Sequence, residues 1–547
     1  MIGVDEVAPT WDGAIWVGEA ERADLVAGPL ELEGAAEFGK ARILVWNELQ
    51  SMGFIEVPID DGVLDAADLA AAMEQLAAPP ERLAATELPA VTVAVCTRDR
   101  PDLLHEVLVS LSDLDYPEYE ILVVDNNPTS LITPSVVEKF ADARIRLISA
   151  AGQGLSIARN VALQHARYDA IAFTDDDVVV EKSWLRNLMY GFARDGRVAC
   201  VCGMVPSAEL LTPAQSYFDQ RVGWARTCEP ALFDLKNPPA DDPLFPFRVA
   251  DYGTGANFAV RKDVVIGLGG FDEGMGVGSP TAGGEDIDMF LRVLLGGHVL
   301  VREPSAVVWH RHRRTTQDLE HQIRNYGLGL GAWLTKLALN PRTAAMALRR
   351  VLPGLRHLRS VTMVEQSEVK AESALGNLGR IELRAILAGP YALLRARLEG
   401  RSGKPIKAPR NRLSGMFDYR RGQNWGDPGN TIEAGRLTVI AALLGLLGLL
   451  TAIETLPSTL RLILLGLFVL VAPGSFILSW YTAKLPVYAS ISLIPAVSLA
   501  VCMLGTTIPL MAGYFDPRII LFGLAGLCVL GGVLRCGILA RRAAKQL

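Results

Sequence analysis

Cysteine is scarce in this sequence, and the few cysteines form neither a disulfide framework nor a metal-finger pattern. The 547 residues include 7 cysteines, and the closest pair, Cys200 and Cys202, has the alternating spacing of residues that pack on a strand. A signal peptide is also missing from the amino terminus, because "MIGVDEVAPTWDG" is acidic and has no apolar core. These absences indicate a soluble portion that faces a reducing cytosol.

Polar stripes are missing from the carboxy-terminal part of the chain. Hydrophobic residues make up 50% of the sequence, and their excess is concentrated after residue 437. A buried helical bundle would show a polar stripe along each helix, but "TVIAALLGLLGLLTAI" has none, so these runs predict membrane spans instead. The four predicted spans are roughly 437–455, 460–481, 486–510 and 518–539.

Charge is unevenly distributed along the chain. The formal net charge is −7, yet residues 341–436 contain 18 lysines and arginines against 8 acidic residues. A basic segment before the first span and the basic tail "ARRAAKQL" predict that both flanks lie on the cytoplasmic side. We therefore expect a multi-pass protein of the cytoplasmic membrane whose soluble part faces the cytoplasm. Aromatic residues that would stack on bases do not alternate with these charges, so nucleic acid is not an expected partner.

Composition divides the chain into four predicted domains. Residues 1–80 mix short strand-like pieces with a helix-like run and form a small α+β module, to which we assign no chemistry; a linker over 78–89 follows. Residues 90–330 alternate strands and helices. Residues 331–432 are basic and amphipathic, and we expect helices at the membrane interface there. Residues 433–547 contain the predicted spans.

Strands and helices alternate regularly after residue 90. The apolar runs "AVTVAVCT", "YEILVVDN", "RIRLISA" and "AIAFTDDD" are separated by helical patterns, which predicts a mostly parallel sheet with helices on both faces. Parallel sheets of this kind bind ligands beyond the carboxyl ends of their strands. Three of these strands end in polar groups that begin at Thr97, Asp125 and Asp175, so we expect one polar crevice at that edge.

Three consecutive carboxylates, Asp175, Asp176 and Asp177, end one of these strands. Adjacent acids repel one another and cannot be buried without a cation. Mg²⁺ and Mn²⁺ prefer oxygen ligands and combine one or two carboxylates with substrate phosphates. A solvated acidic turn is the alternative, but the preceding buried strand fixes the cluster in place and favours a metal–diphosphate site.

Seven segments of this region occur in an order that resembles family 2 glycosyltransferases. They are "VAVCTRDRPDLL", "EILVVDNNPTS", "GLSIARNVAL", "FTDDD", "GTGANFAVRKDV", "GGFDE" and "GGEDIDMFLRV". The resemblance covers about residues 90–315, and the rest of the chain is loosely similar to membrane-attached bacterial, especially actinobacterial, members. It implies an α/β fold: a GT-A nucleotide-sugar-binding domain with a mostly parallel central sheet, beside the small α+β module and a carboxy-terminal transmembrane helical domain.

The resemblance also implies roles for individual residues. Those expected to bind the nucleotide-sugar donor are Thr97, Arg98, Asp125, Arg159, Asn160, Asp175 and Asp176. Those expected to bind the metal, which is Mn²⁺ or Mg²⁺, are Asp175, Asp177 and His310. Arg311, Arg313 and Arg314 are open to two interpretations, because they would suit either a diphosphate or the membrane surface.

The acidic run "GGEDIDMFLRV" opens a predicted helix. Acids in a first helical turn suit the helix dipole, which is their structural explanation. Glycosyl transfer with inversion, however, needs one carboxylate to remove the proton of the acceptor hydroxyl. The resemblance points to Asp286 as this base, with the neighbouring acid as the alternative, and it implies that Glu285 binds the acceptor. The preceding stretch "GMGVGSPTAGG" is expected to form a mobile loop over the site.

These patterns predict an inverting, metal-dependent glycosyltransferase that moves a sugar from a nucleoside-diphosphate sugar to a membrane-associated acceptor such as a lipid-linked saccharide. The Q-x-x-R-W signature of processive synthases has no match in "EHQIRNYGLGLGAWL", which favours single additions over polymer extrusion. A nucleotidyltransferase acting on sugar phosphates is an alternative, but it would need a Lys-bearing glycine loop where the chain reads "CTRDRPD". A non-catalytic membrane protein that senses sugar nucleotides is the other.

Overall fold

The computed structural model covers the whole chain, and the residues that it describes fall into several ranges. They are 9, 11–26, 28–77, 88–240, 242, 244–348, 350, 378–401, 431–451, 457–481, 484–486, 493–503, 505 and 516–543. Within them the chain forms two compact units, one from residues 1–336 with 350–410 and the other from residues 337–349 with 411–547. Most of the predicted linker over 78–89 lies outside the described residues.

The secondary structure alternates strands and helices through the first unit and is almost entirely helical in the second. The strands are β1 Trp16–Glu21, β2 Leu30–Glu31, β3 Lys40–Asn47, β4 Gln50–Pro58, β5 Val63–Leu64, β6 Val91–Thr97, β7 Tyr119–Asp125, β8 Ile145–Ser149, β9 Ala170–Thr174, β10 Val178–Val180, β11 Val198–Met204, β12 Ala231–Phe233, β13 Asn257–Arg261, β14 Val299–His310, β15 Thr431–Glu433 and β16 Lys484–Pro486. The helices are α1 Arg22–Leu25, α2 Ala66–Met73, α3 Pro101–Ser112, α4 Ile132–Val137, α5 Leu155–His165, α6 Trp184–Phe192, α7 Pro213–Val222, α8 Lys262–Gly267, α9 Glu285–Leu295, α10 Thr316–Leu339, α11 Pro341–Leu348, α12 Leu378–Leu398, α13 Ala434–Leu450, α14 Ser458–Tyr481, the helix 493–503 and α15 Pro517–Ala543.

A small sheet of β1, β3 and β4 forms the amino-terminal module. β1 runs parallel to β3, and β3 pairs with β4 as an antiparallel hairpin. The alternating burial of β4 places Ile55 and Val57 in a separate apolar core together with Leu69 of α2. The described residues of this segment thus contain both strands and helices, while its status as a separate α+β module over 1–80 stays a prediction and its residues carry no assigned chemistry.

A central sheet forms the main domain. Among the described residues its strand order is β10-β14-β11-β13-β9-β6-β7-β8, and β12 pairs with β14 at the side. The half made of β9, β6, β7 and β8 is entirely parallel, while β13 pairs antiparallel with both β11 and β9. The sheet is thus mixed but mostly parallel, which confirms the predicted α/β fold class.

The strands β6 and β7 lie at the centre of the parallel half because their residues are apolar on both faces. All seven residues of β7 are buried, as are six of the seven in β6, as expected when helices cover both sides of a sheet. Helix α3 begins with Pro101 at its first position, where a missing amide hydrogen costs nothing. Its buried face packs on the sheet and consists of Leu104, Val107, Leu108 and Leu111.

The backbones of helices α10 and α12 come unusually close to each other where the helices cross, because glycines lie at the crossing. A Cβ atom on Gly331 would lie 2.0 Å from the carbonyl oxygen of Ile386, and one on Gly389 would lie 2.3 Å from the carbonyl carbon of Gly331. Gly329 makes a similar contact on another face of α10, where its added Cβ would lie 2.6 Å from the carbonyl carbon of Gly283. Helix α10 is therefore packed between α12 and the residues just before α9.

The second unit contains apolar helices. Among the described residues, two helical stretches, Thr459–Trp480 and Ile519–Cys536, are long and apolar enough to cross a membrane, and Leu437–Leu450 and Leu493–Met503 are shorter apolar helices. The four predicted spans correspond in position to α13, α14, the helix 493–503 and α15. Parts of the first and third predicted spans, at 452–455, 487–492, 504 and 506–510, lie outside the described residues.

Candidate active site

The carboxyl ends of the parallel strands bring the predicted site residues to one crevice. Thr97 at the end of β6 is directly opposite Asp125 at the end of β7. On its other side, β6 pairs with β9, whose last residue is Thr174. The three acids that follow Thr174 therefore emerge beside Thr97, as the strand pattern predicted.

Asp176 is directed into the protein rather than into open solvent. Its Oδ2 accepts a 2.7 Å hydrogen bond from Oγ1 of Thr97, and its Oδ1 lies 2.7 Å from Nη1 of Arg100. Burial raises the pKa of Asp176, and the charge of Arg100 opposes that rise. Thr97 and Asp176 thus bind each other in this structure, and their roles in donor binding stay predictions.

Asp177 and His310 meet where β10 pairs with the end of β14. Val178 is directly opposite His310 in that antiparallel pair, which leaves Nε2 of His310 3.3 Å from Oδ1 of Asp177. Although burial by itself would raise the pKa of Asp177, the charges of His310, Arg100 and Arg313 outweigh it and lower the pKa well below its usual range. The same contact raises the pKa of His310 against the effect of its burial.

Asp175 and Glu285 lie on either side of Arg159. The guanidinium of Arg159, which is almost fully buried, is 3.0 Å from Oε1 of Glu285 and 3.5 Å from Oδ1 of Asp175. Burial raises the pKa of Asp175 to about 7, with Arg159 opposing the rise and Asp177 adding to it. Burial and the neighbouring Asp286 likewise raise the pKa of Glu285 to about 7. Arg159 therefore joins the aspartate cluster to the start of α9.

Asp286 is the acid of this helix start that remains partly exposed. Its Oδ2 accepts a 2.8 Å hydrogen bond from the backbone amide of Gly255, and its Oδ1 accepts one of the same length from the amide of Ile287. Arg159 donates to the carbonyl oxygen of Gly255 at 2.8 Å. The turn before β13 thus fixes Asp286 and Arg159 relative to each other, and Asp286 keeps a solvent-accessible, oriented carboxylate.

One group of side chains has the composition of a divalent-metal site. Ligand atoms of Asp175, Asp177 and His310 all lie within 4.8 Å of one another, and two carboxylates with one imidazole suit Mn²⁺ or Mg²⁺. Counted with every acid ionised and His310 neutral, which is the protonation state that a bound metal requires, five clustered acids among the described residues face three arginines and leave an excess of two negative charges. These residues are Asp175, Asp176, Asp177, Glu285, Asp286, Arg100, Arg159 and Arg313.

The remaining predicted donor residues lie around the same crevice in defined contacts. Asp125 is buried, and its Oδ1 accepts from the amide of Asn127 at 2.9 Å. Arg98 donates from Nη1 to the carbonyl oxygen of Asn126 at 3.1 Å. Asn160 binds the backbone of Phe271 through both its Nδ2 and its Oδ1, so it holds the turn before the 274–284 loop. Their donor-binding roles stay predictions.

Two arginines outside the predicted set of site residues contact its acids. Arg100 contacts Asp176 and Asp177 at 2.7 and 3.4 Å, although the resemblance pointed to Arg98 in the same segment. Arg313 lies 3.5 Å from Oδ2 of Asp177, whereas Arg311 and Arg314 pair with glutamates outside the crevice. A run of basic residues carries no sign of which member faces the acids.

Comparisons with known proteins show which proteins this chain is similar to. Residues 92–265 match the family model described as "Glycosyl transferase family 2". The chain is 28% identical over 239 residues to the pre-mycofactocin glycosyltransferase of Mycobacterium tuberculosis, covering 43% of this chain and 46% of that protein. It is 27% identical over 229 residues to the succinoglycan biosynthesis protein ExoM of Rhizobium meliloti, covering 40% of this chain and 65% of that protein. The chain thus spans less than two thirds of each of these curated relatives.

A solved structure also matches over much of the chain. It is a mannosyltransferase from Pyrobaculum calidifontis in complex with GDP-Man and Mn²⁺, with 18% identity, a TM-score of 0.34 and coverage of 70% of this chain and 86% of that one. The family match over residues 92–265 agrees with the expected resemblance to family 2 glycosyltransferases.

Proposed function

We propose that this protein, whose residues 92–265 match the glycosyl transferase family 2 model, is an inverting, metal-dependent glycosyltransferase. Its donor is a nucleoside-diphosphate sugar, and its acceptor is a membrane-associated, lipid-linked saccharide used in building the cell envelope. The observation that carries the proposal is the fixed arrangement of Asp286 and the Asp175, Asp177 and His310 group, which Arg159 connects.

Asp286 is the general base of the proposed reaction. It is partly exposed and its carboxylate is oriented by the amide of Gly255, so one oxygen can accept the proton of an acceptor hydroxyl as that hydroxyl attacks the anomeric carbon. Glu285 suits this role less well, because it is buried and paired with Arg159. Attack on the face opposite the departing diphosphate gives inversion of the anomeric carbon.

The group of Asp175, Asp177 and His310 acts on the departing nucleoside diphosphate in the proposed reaction. A divalent cation held by Asp175, Asp177 and His310 would supply Lewis-acid stabilisation of the departing nucleoside diphosphate. Arg100 and Arg313 both contact Asp177 of this group, and each is about 40% exposed, so both can also bind phosphate oxygens.

The membrane setting of the proposal depends on the carboxy-terminal half. Two helices long and apolar enough to cross a membrane occur among the described residues, and the segment before them is strongly basic. We propose a multi-pass protein of the cytoplasmic membrane whose catalytic domain faces the cytoplasm. An acceptor anchored in lipid would then share a membrane with the protein.

A labelled-donor screen tests this function. Full-length protein in lipid nanodiscs is incubated with Mn²⁺, a bacterial lipid extract and each of a set of radiolabelled nucleotide sugars, and label in the lipid phase is counted. We expect one donor to give a labelled lipid product, and we expect no such product when a chelator removes the Mn²⁺. Nuclear magnetic resonance of the product should show that the anomeric configuration is inverted relative to the donor. Asp263→Asn, which changes an exposed acid on α8, serves as the control variant.

Other outcomes separate the alternatives. Pyrophosphate release from a nucleoside triphosphate and a sugar phosphate would identify a nucleotidyltransferase. Donor binding with neither transfer nor hydrolysis for any donor would identify a non-catalytic sensor. Either result would contradict the proposed transfer reaction.

A further inference from the structure

A buried ion cluster outside the crevice connects the helix of the proposed base to the two helices that follow the sheet. Asp272 is fully buried, and its two oxygens accept hydrogen bonds of 2.7 Å from Nη1 and Nη2 of Arg397 on α12 and a third from Lys336 on α10. Lys336 also lies 2.6 Å from Oδ1 of Asp288 on α9, and Asp288 accepts from Nε of Arg292 at 2.8 Å. Helices α9, α10 and α12 therefore share one ionic network.

The ion pairs of this network hold the three helices rigidly together. Although burial alone would raise the pKa of Asp272, the hydrogen bonds and charges of Arg397 and Lys336 outweigh it and lower the pKa to about 2. A buried pair of this kind is costly to break, because the remaining charge is left without a partner. The close approach also depends on Gly274, since a Cβ atom there would lie 2.2 Å from Nη1 of Arg397.

Arg401, three residues beyond the end of α12, also binds the loop 274–284 that precedes α9. Arg401 donates to the carbonyl oxygens of Gln153 at 3.0 Å and Gly278 at 3.1 Å. Within the same loop, Val277 accepts a 2.9 Å hydrogen bond from the amide of Leu155, the first residue of the helix that carries Arg159. The loop 274–284 is thus tied to α12 at its start through Asp272 and in its middle through Arg401.

The opposite face of α12 is an exposed apolar stripe. Its members are Leu383, Leu387, Tyr391, Leu394 and Leu398, which are 55–79% exposed. Since successive helical residues are about 100° apart, the stripe occupies about 80° of the helix circumference. The buried face of α12, which includes Ala385, Gly389 and Ala396, is on the other side.

A lipid surface is the occupant that this stripe fits best. An apolar stripe beside exposed arginines is the pattern of helices that lie in the membrane interface, and α12 has exposed arginines at Arg380 and Arg384. Arginines beside an apolar stripe also complement the negative charge of anionic lipid head groups.

We propose that α12 couples lipid contact to the geometry of the site, with Arg397 and Arg401 as positioning residues for the 274–284 loop and the start of α9. The inference rests on the proposed function for its catalytic consequence. When the stripe contacts lipid, α12 becomes more ordered. Because Arg397 and Arg401 bind residues in and beside the 274–284 loop, that ordering extends to the loop and to α9, which carries Asp286. Neither arginine touches the reacting atoms.

Hydrogen exchange measured by mass spectrometry tests the coupling without any substrate. Full-length protein is compared in nanodiscs of phosphatidylcholine and phosphatidylglycerol, as wild type, Arg401→Met and the double variant Leu387→Gln/Leu394→Gln. We expect amides of residues 274–284 to exchange about 10-fold faster in Arg401→Met, the factor expected from losing one charge-assisted hydrogen bond. They should also exchange faster in the double variant, because α12 then loses its lipid contact. Arg395→Met, which removes only an exposed pair with Glu399, and Val109→Gln, at an exposed site on α3, should match wild type.

The outcome for the double variant decides the proposal, because its changes lie on the surface and leave the ionic network intact. Unchanged exchange in the loop would overturn the coupling. A double variant that changes from dimer to monomer in detergent would show that a second copy of the chain, rather than lipid, covers the stripe, and would overturn the lipid assignment.

A kinetic measurement separates positioning from simple structural damage. With the donor found by the transfer screen, Arg397→Met should lower kcat by up to about 100-fold, the cost of a small misplacement of a catalytic group, while the KM for the donor stays nearly constant. Arg397→Lys should recover part of the lost kcat, because it keeps the charge but not the bidentate geometry. Normal kcat in Arg397→Met would overturn the positioning role. If exchange responds as expected but no donor is transferred, the proposed function fails while the coupling stands.

Discussion

The guanidinium of Arg159 lies 3.0 Å from Oε1 of Glu285, and this pairing distinguishes Glu285 from the adjacent acid, Asp286. Glu285 is buried with the arginine, whereas Asp286 remains partly exposed and accepts a hydrogen bond from the amide of Gly255. The same arginine reaches Asp175, so the start of α9 and the end of β9 are held at a fixed separation. The predictions below follow from this arrangement and from the packing that surrounds it.

Replacing the proposed base should abolish most of the transfer activity. Asp286→Asn keeps the size of the side chain but removes the proton acceptor, so kcat should fall by about 10²–10⁴-fold. Stabilisation of the protein by donor and Mn²⁺ in thermal unfolding should persist. Near-normal turnover of Asp286→Asn would exclude Asp286 as the base, and the control Asp263→Asn should retain wild-type activity.

Removing the histidine of the metal group should weaken cation binding. His310→Ala leaves two carboxylates, and we expect about 100-fold weaker Mn²⁺ binding, which corresponds to about 2.7 kcal/mol less stabilisation at high Mn²⁺ concentration. Thermal unfolding across a Mn²⁺ titration measures this change. His298→Ala is the matched control, because His298 lies just before β14, outside the group. Equal Mn²⁺ responses in both variants would exclude His310 as a ligand.

Cation binding should depend on pH in a defined direction. Burial raises the pKa of Asp175 to about 7 and the contact with Asp177 raises the pKa of His310, so both groups carry protons that a metal must displace. Mn²⁺ affinity should therefore rise from pH 6 to pH 7, by about tenfold if one proton is released, and level off above the pKa values. Calorimetric titrations at several pH values measure this slope, and Asp175→Asn should flatten it. A constant affinity across this range would contradict the protonated state of the group.

The glycine crossing of α10 and α12 should tolerate no added methyl group. Gly331→Ala places a Cβ atom where it would lie 2.0 Å from the carbonyl oxygen of Ile386, so we expect a loss of about 1–3 kcal/mol in the free energy of unfolding. Gly379→Ala on α12 is the control, since nothing lies within 4 Å of its added Cβ. Chemical unfolding followed by tryptophan fluorescence compares the two, and equal stability would argue against the close crossing.

Much of the crevice was predictable because strand periodicity is a local property. Buried runs such as "AVTVAVCT" and "YEILVVDN" predict parallel strands, and the carboxyl ends of parallel strands share one edge of a sheet. That reasoning brought Thr97, Asp125 and Asp175 together, and the structure confirms their proximity. The resemblance to family 2 glycosyltransferases pointed in the same direction and is confirmed by the family match.

The partners of individual charges could not be predicted in this way. Arg98 and Arg100 are two residues apart, yet only the packed structure shows that Arg100 reaches Asp176 and Asp177. His310 meets Asp177 only because β10 pairs with β14, strands that are far apart in the sequence.

The amino-acid sequence by itself determined the order of strands and helices, the acidic edge of the sheet and the apolar carboxy-terminal segments, because hydrophobic period and residue type act over a few neighbouring residues. The tertiary structure alone decided that Arg397 pairs with Asp272, 125 positions away, and that Arg159 holds both Asp175 and Glu285. Contacts of this kind depend on how helices and strands pack in three dimensions, and that packing leaves no periodic signal along the chain.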